Sequence, residues 1–329
     1  MTDWRSLPKV ELHLHLEGAA PPALIRTLAA EKGIALPGVF DAKGHYLWHD
    51  FSSFLACYEA ACQVLSSPED YARLTAAVLA AARADGVIYT EVFVSPDLCG
   101  GGDPVAWREY LAAIAGAADL PGIEMRVIAT AIRHFGPERA LRAAELTADA
   151  AGHFVTGFGM GGEERFGHAA DYADAFEIAR AAGLSLTSHA GEFGGPASVA
   201  ETLDALGVAR IGHGVRAIED PALVADLAAR GTVLEVNPGS NIALGLYPDW
   251  PQHPVRALRD AGVTVTLSTD DPPYFHTDLP SEYAALSAAF GWTVEDFRAL
   301  NVAAARAAFC DEATRSAVLQ QLLDAGAAP

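Results

Sequence analysis

The sequence predicts a (β/α)8 barrel, an α/β fold whose parallel sheet closes on itself. Eight short apolar, β-branched segments recur along the 329 residues, most of them separated by Ala/Leu/Glu/Arg stretches with helical spacing. Strand alternating with helix implies a parallel sheet. Eight such units in a chain of this length favour a barrel over a doubly wound sheet. No GxGxxG follows the first strand, which weakens a dinucleotide-binding alternative.

The first strand spans Val10–Leu16, where Glu11, Leu12, His13, Leu14, His15 and Leu16 alternate with the two-residue period of a strand. Its leucines share one face, and His13 and His15 share the other. The interval from Ala19 to Asp85 exceeds one helix and predicts extra helices, one or two of them in "WHDFSSFLACYEAACQVL" (Trp48–Leu65). The stretch Ser67–Gly86 opens on a Ser67-Pro68-Glu69 cap signal and stops at Asp85-Gly86. Further strands are predicted at Gly86–Val94, Ile123–Ala131, Phe154–Met160, Leu184–His189 and Arg210–His213. A helix entered through Asp220-Pro221 and ended by Gly231 follows. The last two strands are Val233–Val236 and Val263–Thr269, and Ser281–Pro329 reads as a helical tail with caps at Thr293 and Asp311. No linker, low-complexity run or repeat interrupts the pattern, so residues 1–329 read as one domain.

Composition narrows the function. Hydrophobic residues make up 51%, enough for a sizeable core. A formal net charge of -20 argues against nucleic acid and anionic membranes as partners. Cys57, Cys62, Cys99 and Cys310 form no CxxC pair and read as buried, reduced thiols. "MTDWRSLPKV" has no apolar h-region and no run of 18 apolar residues exists, so a cytoplasmic protein is expected.

In a barrel of this kind the active site lies at the C-terminal ends of the strands. His13 and His15 end the first strand, and "GMGGEER" with Gly161 and Gly162 ends the fourth. His189 and Glu192 end the fifth, and His213 ends the sixth. Asn237, Ser240 and Asn241 follow the seventh, and Asp270 and Asp271 follow the eighth. Four of the 11 histidines thus gather on one face with paired carboxylates. Neutral imidazoles plus a carboxylate suit zinc or a similar divalent ion. A catalytic zinc keeps one position for water and lowers its pKa to about 7. The remaining histidines, His45, His49, His134, His153, His168, His253 and His276, read as structural. Phe51, Phe54 and Tyr58 have helical spacing and read as core, with a hydrophobic lid as the sharper alternative.

"VELHLHLEG", "TSHAGE", "RIGHGV", "PGSN" and "STDDP" occur in an order that resembles the adenosine/adenine deaminase branch of the metal-dependent amidohydrolase superfamily, from about Leu7 to Phe290. The resemblance implies one zinc held by His13, His15, His189 and Asp270. It implies Glu192 as proton shuttle, with His213 and Asp271 orienting the attacking hydroxide. It places His15, Glu17, Gly162 and Asp271 against the substrate, a purine nucleoside or base. In this reading His213 offers positive charge to the developing oxyanion. Oligomeric state is left open.

The substrate signals in these motifs point two ways. Glu17 stands where adenosine deaminases commonly carry aspartate against the ribose, and glutamate there resembles the adenine-specific branch. Gly212 in "IGHG" resembles the adenosine branch, because adenine-specific members usually carry aspartate there. Asn237 and Gly239 depart from the commoner Cys-Pro-Thr-Ser-Asn pattern. The expected activity is hydrolytic deamination of adenosine to inosine; the alternatives are deamination of adenine to hypoxanthine or of another substituted aminopurine. A non-catalytic purine-binding barrel would have lost a ligand or the shuttle, and none is missing. Binuclear relatives commonly use a carboxylated lysine on the barrel, whereas the last lysine here is Lys43.

Overall fold

The computed structural model describes residues 2–325. Its eight strands are β1 (Lys9–His15), β2 (Val87–Val94), β3 (Glu124–Ile132), β4 (Val155–Gly161), β5 (Ser185–Ala190), β6 (Arg210–His213), β7 (Val233–Val236) and β8 (Thr264–Leu267). All neighbouring pairs are parallel and follow chain order. A bridge between Leu14 and Asp270 closes the ring, with His15 N donating to Asp270 O at 3.1 Å and Asp270 N to His13 O at 3.2 Å. The sheet is therefore a barrel, sealed by the same residues that carry the candidate site.

β8 is shorter than Val263–Thr269. Ser268 and Thr269 leave the ladder, and Asp270 takes a left-handed φ of 67°. Between β1 and β2 lie three helices, α1 (Pro22–Lys32), α2 (Phe51–Cys62) and α3 (Pro68–Ala84). The side chains of Asp50 and Ser67 cap the last two, each accepting from a backbone N–H of the first turn. The C-terminal region holds three further helices, Leu279–Phe290, Val294–Ala307 and Glu312–Asp324. Thr293 and Asp311 cap the second and third, as the sequence predicts. Among the described residues no helix is long and apolar enough to cross a membrane.

The alternation in β1 does what its period requires. Leu14 and Leu16 join the main apolar core between barrel and helices, while Val10 and Leu12 pack with Ala304, Val318 and Leu322 of the C-terminal helices. Glu11, His13 and His15 face the barrel interior. There the lower layer is polar. Arg210 bonds Glu91 and Glu235, each at 2.6 Å, and lies 3.5 Å over the Phe309 ring. Arg210 is surrounded by compensating carboxylates, which is what a buried guanidinium requires. The four cysteines are free thiols, but only Cys57 and Cys99 are buried; Cys62 and Cys310 are partly exposed, because Cys62 lines a cavity at the barrel mouth and Cys310 borders a surface pocket.

Candidate active site

The C-terminal mouth of the barrel opens into a cavity of about 310 Å³ lined by His15, Glu17, Gly162, His189, Glu192, His213, Asp270 and Asp271. Of the site residues expected from sequence, only His13 is missing from this lining, because it is fully buried just beneath.

Four donors converge below the cavity. One ligand atom from each of His13, His15, His189 and Asp270 lies within 4.8 Å of the others. Asp270 Oδ1 is 3.2 Å from His13 Nε2 and 3.3 Å from His15 Nε2, and the Nε2 atoms of His15 and His189 are 3.2 Å apart. His13 Nε2 is buried and lacks a hydrogen-bond partner within the protein. A buried, unpartnered imidazole nitrogen aimed at a carboxylate and two further imidazoles fits a divalent cation with nitrogen and oxygen ligands.

The other ring nitrogens are held from behind. His13 Nδ1 is 2.8 Å from Glu235 Oε2, and His189 Nδ1 is 2.9 Å from Met160 O. Both therefore present Nε2 to the centre. Ser240 Oγ donates to Asp270 Oδ2 at 2.7 Å, which leaves Oδ1 for the centre. The electrostatics agree. Burial opposes protonation of His13, yet the nearby carboxylates of Asp270 and Glu235 carry its pKa up to about 9. Burial lowers His15, and burial with the neighbouring His13 holds His189 well below the usual imidazole range. Burial would raise Asp270, but the imidazoles of His13 and His15 hold it well below the usual carboxylate range. Asp270 thus stays an ionised carboxylate facing imidazoles of which His15 and His189 are held neutral, the form in which they can ligate a cation.

Beside it stand Glu192, His213 and Asp271. His213 Nδ1 faces the side-chain amides of Asn237 at 3.4 Å and Asn241 at 3.3 Å. That leaves an Nε2–H directed at Glu192 Oε1, 3.8 Å away, and Asp270 Oδ2, 3.9 Å away. Burial pushes the His213 pKa down to about 4. His213 is thus a neutral donor, and the expected positive charge on it is corrected. His213 also has a φ of 60°; with Asp270 it is one of three non-glycine residues with positive φ among those described. Such strain concentrates at functional sites.

Glu192 is raised well above the usual carboxylate range by burial, then by Asp270 and Glu164. Asp271 is raised in the same way by burial, Asp270, Glu192 and Glu17. Asp271 occupies the N-cap position of the turn Pro272–Phe275, yet its side chain makes no capping bond and its Oδ1 is buried and unpaired. A Cβ at Gly18 would overlap that same oxygen, so glycine is what leaves room for the carboxylate.

Several residues that matter here were not singled out by sequence. Glu164 accepts from Gly191 N, Phe193 N, Gly194 N and Ser198 Oγ at 2.6–2.8 Å, and from Glu192 N at 3.1 Å. It fixes the loop that carries Glu192. Glu235 orients His13, and Tyr71 donates to Glu17 Oε1 at 2.8 Å. The only sequence signal was a lone carboxylate in the otherwise apolar β7. Phe51, Phe54 and Tyr58 line the cavity, so they are wall as well as core, and Phe51 packs on Phe193 with centroids 4.4 Å apart. His134, read as structural, lines the cavity too. His253 keeps its structural role: its Nε2 lies 3.1 Å from Asn241 Oδ1, behind His213.

A (β/α)8 barrel with a buried three-histidine, one-aspartate donor set at its C-terminal face is the architecture of a metal-dependent amidohydrolase. The chain belongs to the adenosine deaminase family, whose model matches residues 8–325. It is 53% identical over 320 residues to an adenine deaminase of Rhizobium rhizogenes, covering 96% of this chain and 99% of that protein. Among solved structures, an adenine deaminase from Arthrobacter aurescens superposes with a TM-score of 0.88 at 29% identity, covering 98% of this chain and all of that one. An amidohydrolase from Burkholderia ambifaria with bound zinc gives a TM-score of 0.85 at 28% identity, covering 99% and 94% of the two chains. The protein is accordingly an enzyme, a hydrolytic deaminase.

Proposed function

We propose that the protein deaminates adenine to hypoxanthine and ammonia. Adenosine was the expectation from sequence; the relatives and Glu17 favour the base. Glu17 is the observation that carries the reading. Its carboxyl is buried in the cavity wall and held by Tyr71, and burial raises its pKa to about 7. A glutamate fixed there takes space that a ribose would need. The apparent counter-signal at Gly212 has another explanation. A Cβ at Gly212 would lie 2.9 Å from His13 Cε1 and 3.2 Å from His189 Nδ1. That position faces the histidine cluster, so it does not read the far edge of the substrate. Asn237 and Gly239 are equally local: Asn237 meets His213, and a Cβ at Gly239 would overlap Glu282 Oε1.

In this reading His13, His15, His189 and Asp270 hold one zinc. When bound, zinc supplies a Lewis acid that makes water nucleophilic at neutral pH. With a cation in place to offset the charge of Asp270, which is among the groups that raise Asp271, Asp271 would be ionised and would accept a proton from the incoming water. Glu192, kept protonated by burial, donates to purine N1 as attack at C6 breaks the ring's aromaticity. Asp271 then passes its proton to the departing amino group, which leaves as ammonia, and the C6 hydroxyl returns a proton to Glu192 as the C6 carbonyl of hypoxanthine forms. His213 donates from Nε2 to the oxygen developing on C6. The backbone at Gly162 and the side chain of His15 bound the ring. The apolar wall of Phe51, Phe54 and Tyr58 excludes water, which strengthens these interactions. Incubating the protein with adenine, with ammonia and hypoxanthine measured together, tests the reading. Equimolar products are expected; ammonia from adenosine alone overturns it.

A further inference from the structure

A pair of side chains at the cavity mouth is left over by this mechanism. His134 follows β3, and Glu59 projects from α2 towards it; both line the cavity. His134 Nε2 lies 3.9 Å from Glu59 Oε1. Glu163 N donates to His134 Nδ1 at 3.3 Å, so the ring proton sits on Nε2, towards Glu59. The ring packs directly on the backbone at Gly162, where a Cβ would come within 2.9 Å of Nδ1 and φ is 96°. Only glycine allows that approach without strain. The Glu59 side chain is 61% exposed and that of His134 is 21% exposed, so the pair stands at the water-facing rim rather than on the floor.

The orientation of the substrate follows from the floor. C6 must face the histidine and aspartate cluster. In a purine the edge bearing N3 and N9 lies opposite C6, so it faces the rim. A free base presents an acceptor, N3, beside a donor, N9–H. The rim presents a donor, His134 Nε2–H, beside an acceptor, the Glu59 carboxylate. The two patterns are complementary. A purine substituted at N9 loses the donor and brings bulk against Glu59.

We propose that His134 and Glu59 form a clasp that recognises the N3/N9–H edge of the free base and selects against N9-substituted purines. The proposal rests on the adenine reading and names residues that enforce it. The test measures kcat/KM for adenine, 9-methyladenine and adenosine, together with calorimetric binding of hypoxanthine and 9-methylhypoxanthine. The proteins compared are wild type, Glu59→Ala, His134→Ala and His134→Gln. The preference for adenine over 9-methyladenine should fall about 10- to 100-fold in Glu59→Ala, the range for one hydrogen bond to a charged group. The binding preference for hypoxanthine should fall in parallel. His134→Gln keeps an N–H donor and should retain more of the preference than His134→Ala. Unchanged ratios in Glu59→Ala overturn the clasp even if adenine proves to be the substrate. If wild type releases no ammonia from adenine, the adenine reading fails, and the product-binding ratios still decide the clasp. Glu59 is exposed, so its variant should fold normally, as a melting curve verifies.

Discussion

Replacing Glu235 by glutamine keeps the side chain's volume and removes its charge. In the native protein that carboxylate faces His13 Nδ1 at 2.8 Å, Arg210 Nε at 2.6 Å and Thr187 Oγ1 at 3.0 Å. Two consequences separate. First, His13 loses the partner that orients it and strengthens its Nε2 as a ligand. Removing such a partner typically weakens metal binding 10–100-fold, which is about 1.4–2.7 kcal/mol. Second, Arg210 keeps Glu91 at 2.6 Å but loses one charged partner. Glutamine still offers Arg210 an acceptor oxygen, so the cost is that of weakening a charge–charge bond, at most about 1.5–3 kcal/mol of folding stability. Zinc affinity is read by competition with a chelating dye, and stability by urea unfolding of the metal-free protein. Thr187→Val provides the control. It removes a bond to Glu235 Oε1 without touching His13, so stability should fall by about 1 kcal/mol while zinc affinity holds. If Glu235→Gln binds zinc within about twofold of wild type, Glu235 does not orient the ligand and the reasoning fails.

Other outcomes follow from the same geometry. Asp271→Asn should keep its metal, because Asp271 stands beside the donor set rather than in it, and should lose about 10²–10⁴ of turnover as a proton acceptor. Metal content and steady-state rates measured together check this, and wild-type turnover would remove Asp271 from its role. Glu282 bears on stability against pH. Burial raises its pKa from 4.5 to about 8, against the opposing bonds from Thr277 and Gly239. The folded value lies above the unfolded one, so its contribution is whole below about 4.5 and is lost as pH rises through about 8. Glu282→Gln should therefore lose less stability than wild type between neutral pH and pH ~9. Parallel urea titrations would show the difference, and superimposable pH profiles would contradict it.

The sequence was most legible where chemistry is local. His13 and His15 share a strand face, Asp270 and Asp271 are adjacent, and caps such as Thr293 and Asp311 act within one turn. The period of β1 alone places its leucines outward and its histidines inward. What stayed hidden depends on distant partners. Glu164 reads as a loop acid until the N–H groups of residues 191–194 fold around it. Glu235 acquires its role only when β6 brings Arg210 beside it and β1 brings His13 above it. His134 looks like any loop histidine until Gly162 and α2 close on it. The charge on His213 was misjudged because its depth of burial is a property of the whole barrel, not of "IGHG". The weight given to Gly212 had the same cause, since the strand register decides that position 212 faces His13.

The most direct test of the account is the ratio of kcat/KM for adenine to that for adenosine, measured on zinc-loaded protein and repeated after chelation and zinc restoration. The account predicts a ratio well above one, activity lost on chelation and recovered with zinc. A ratio below one, or full activity in the chelated protein, would contradict it.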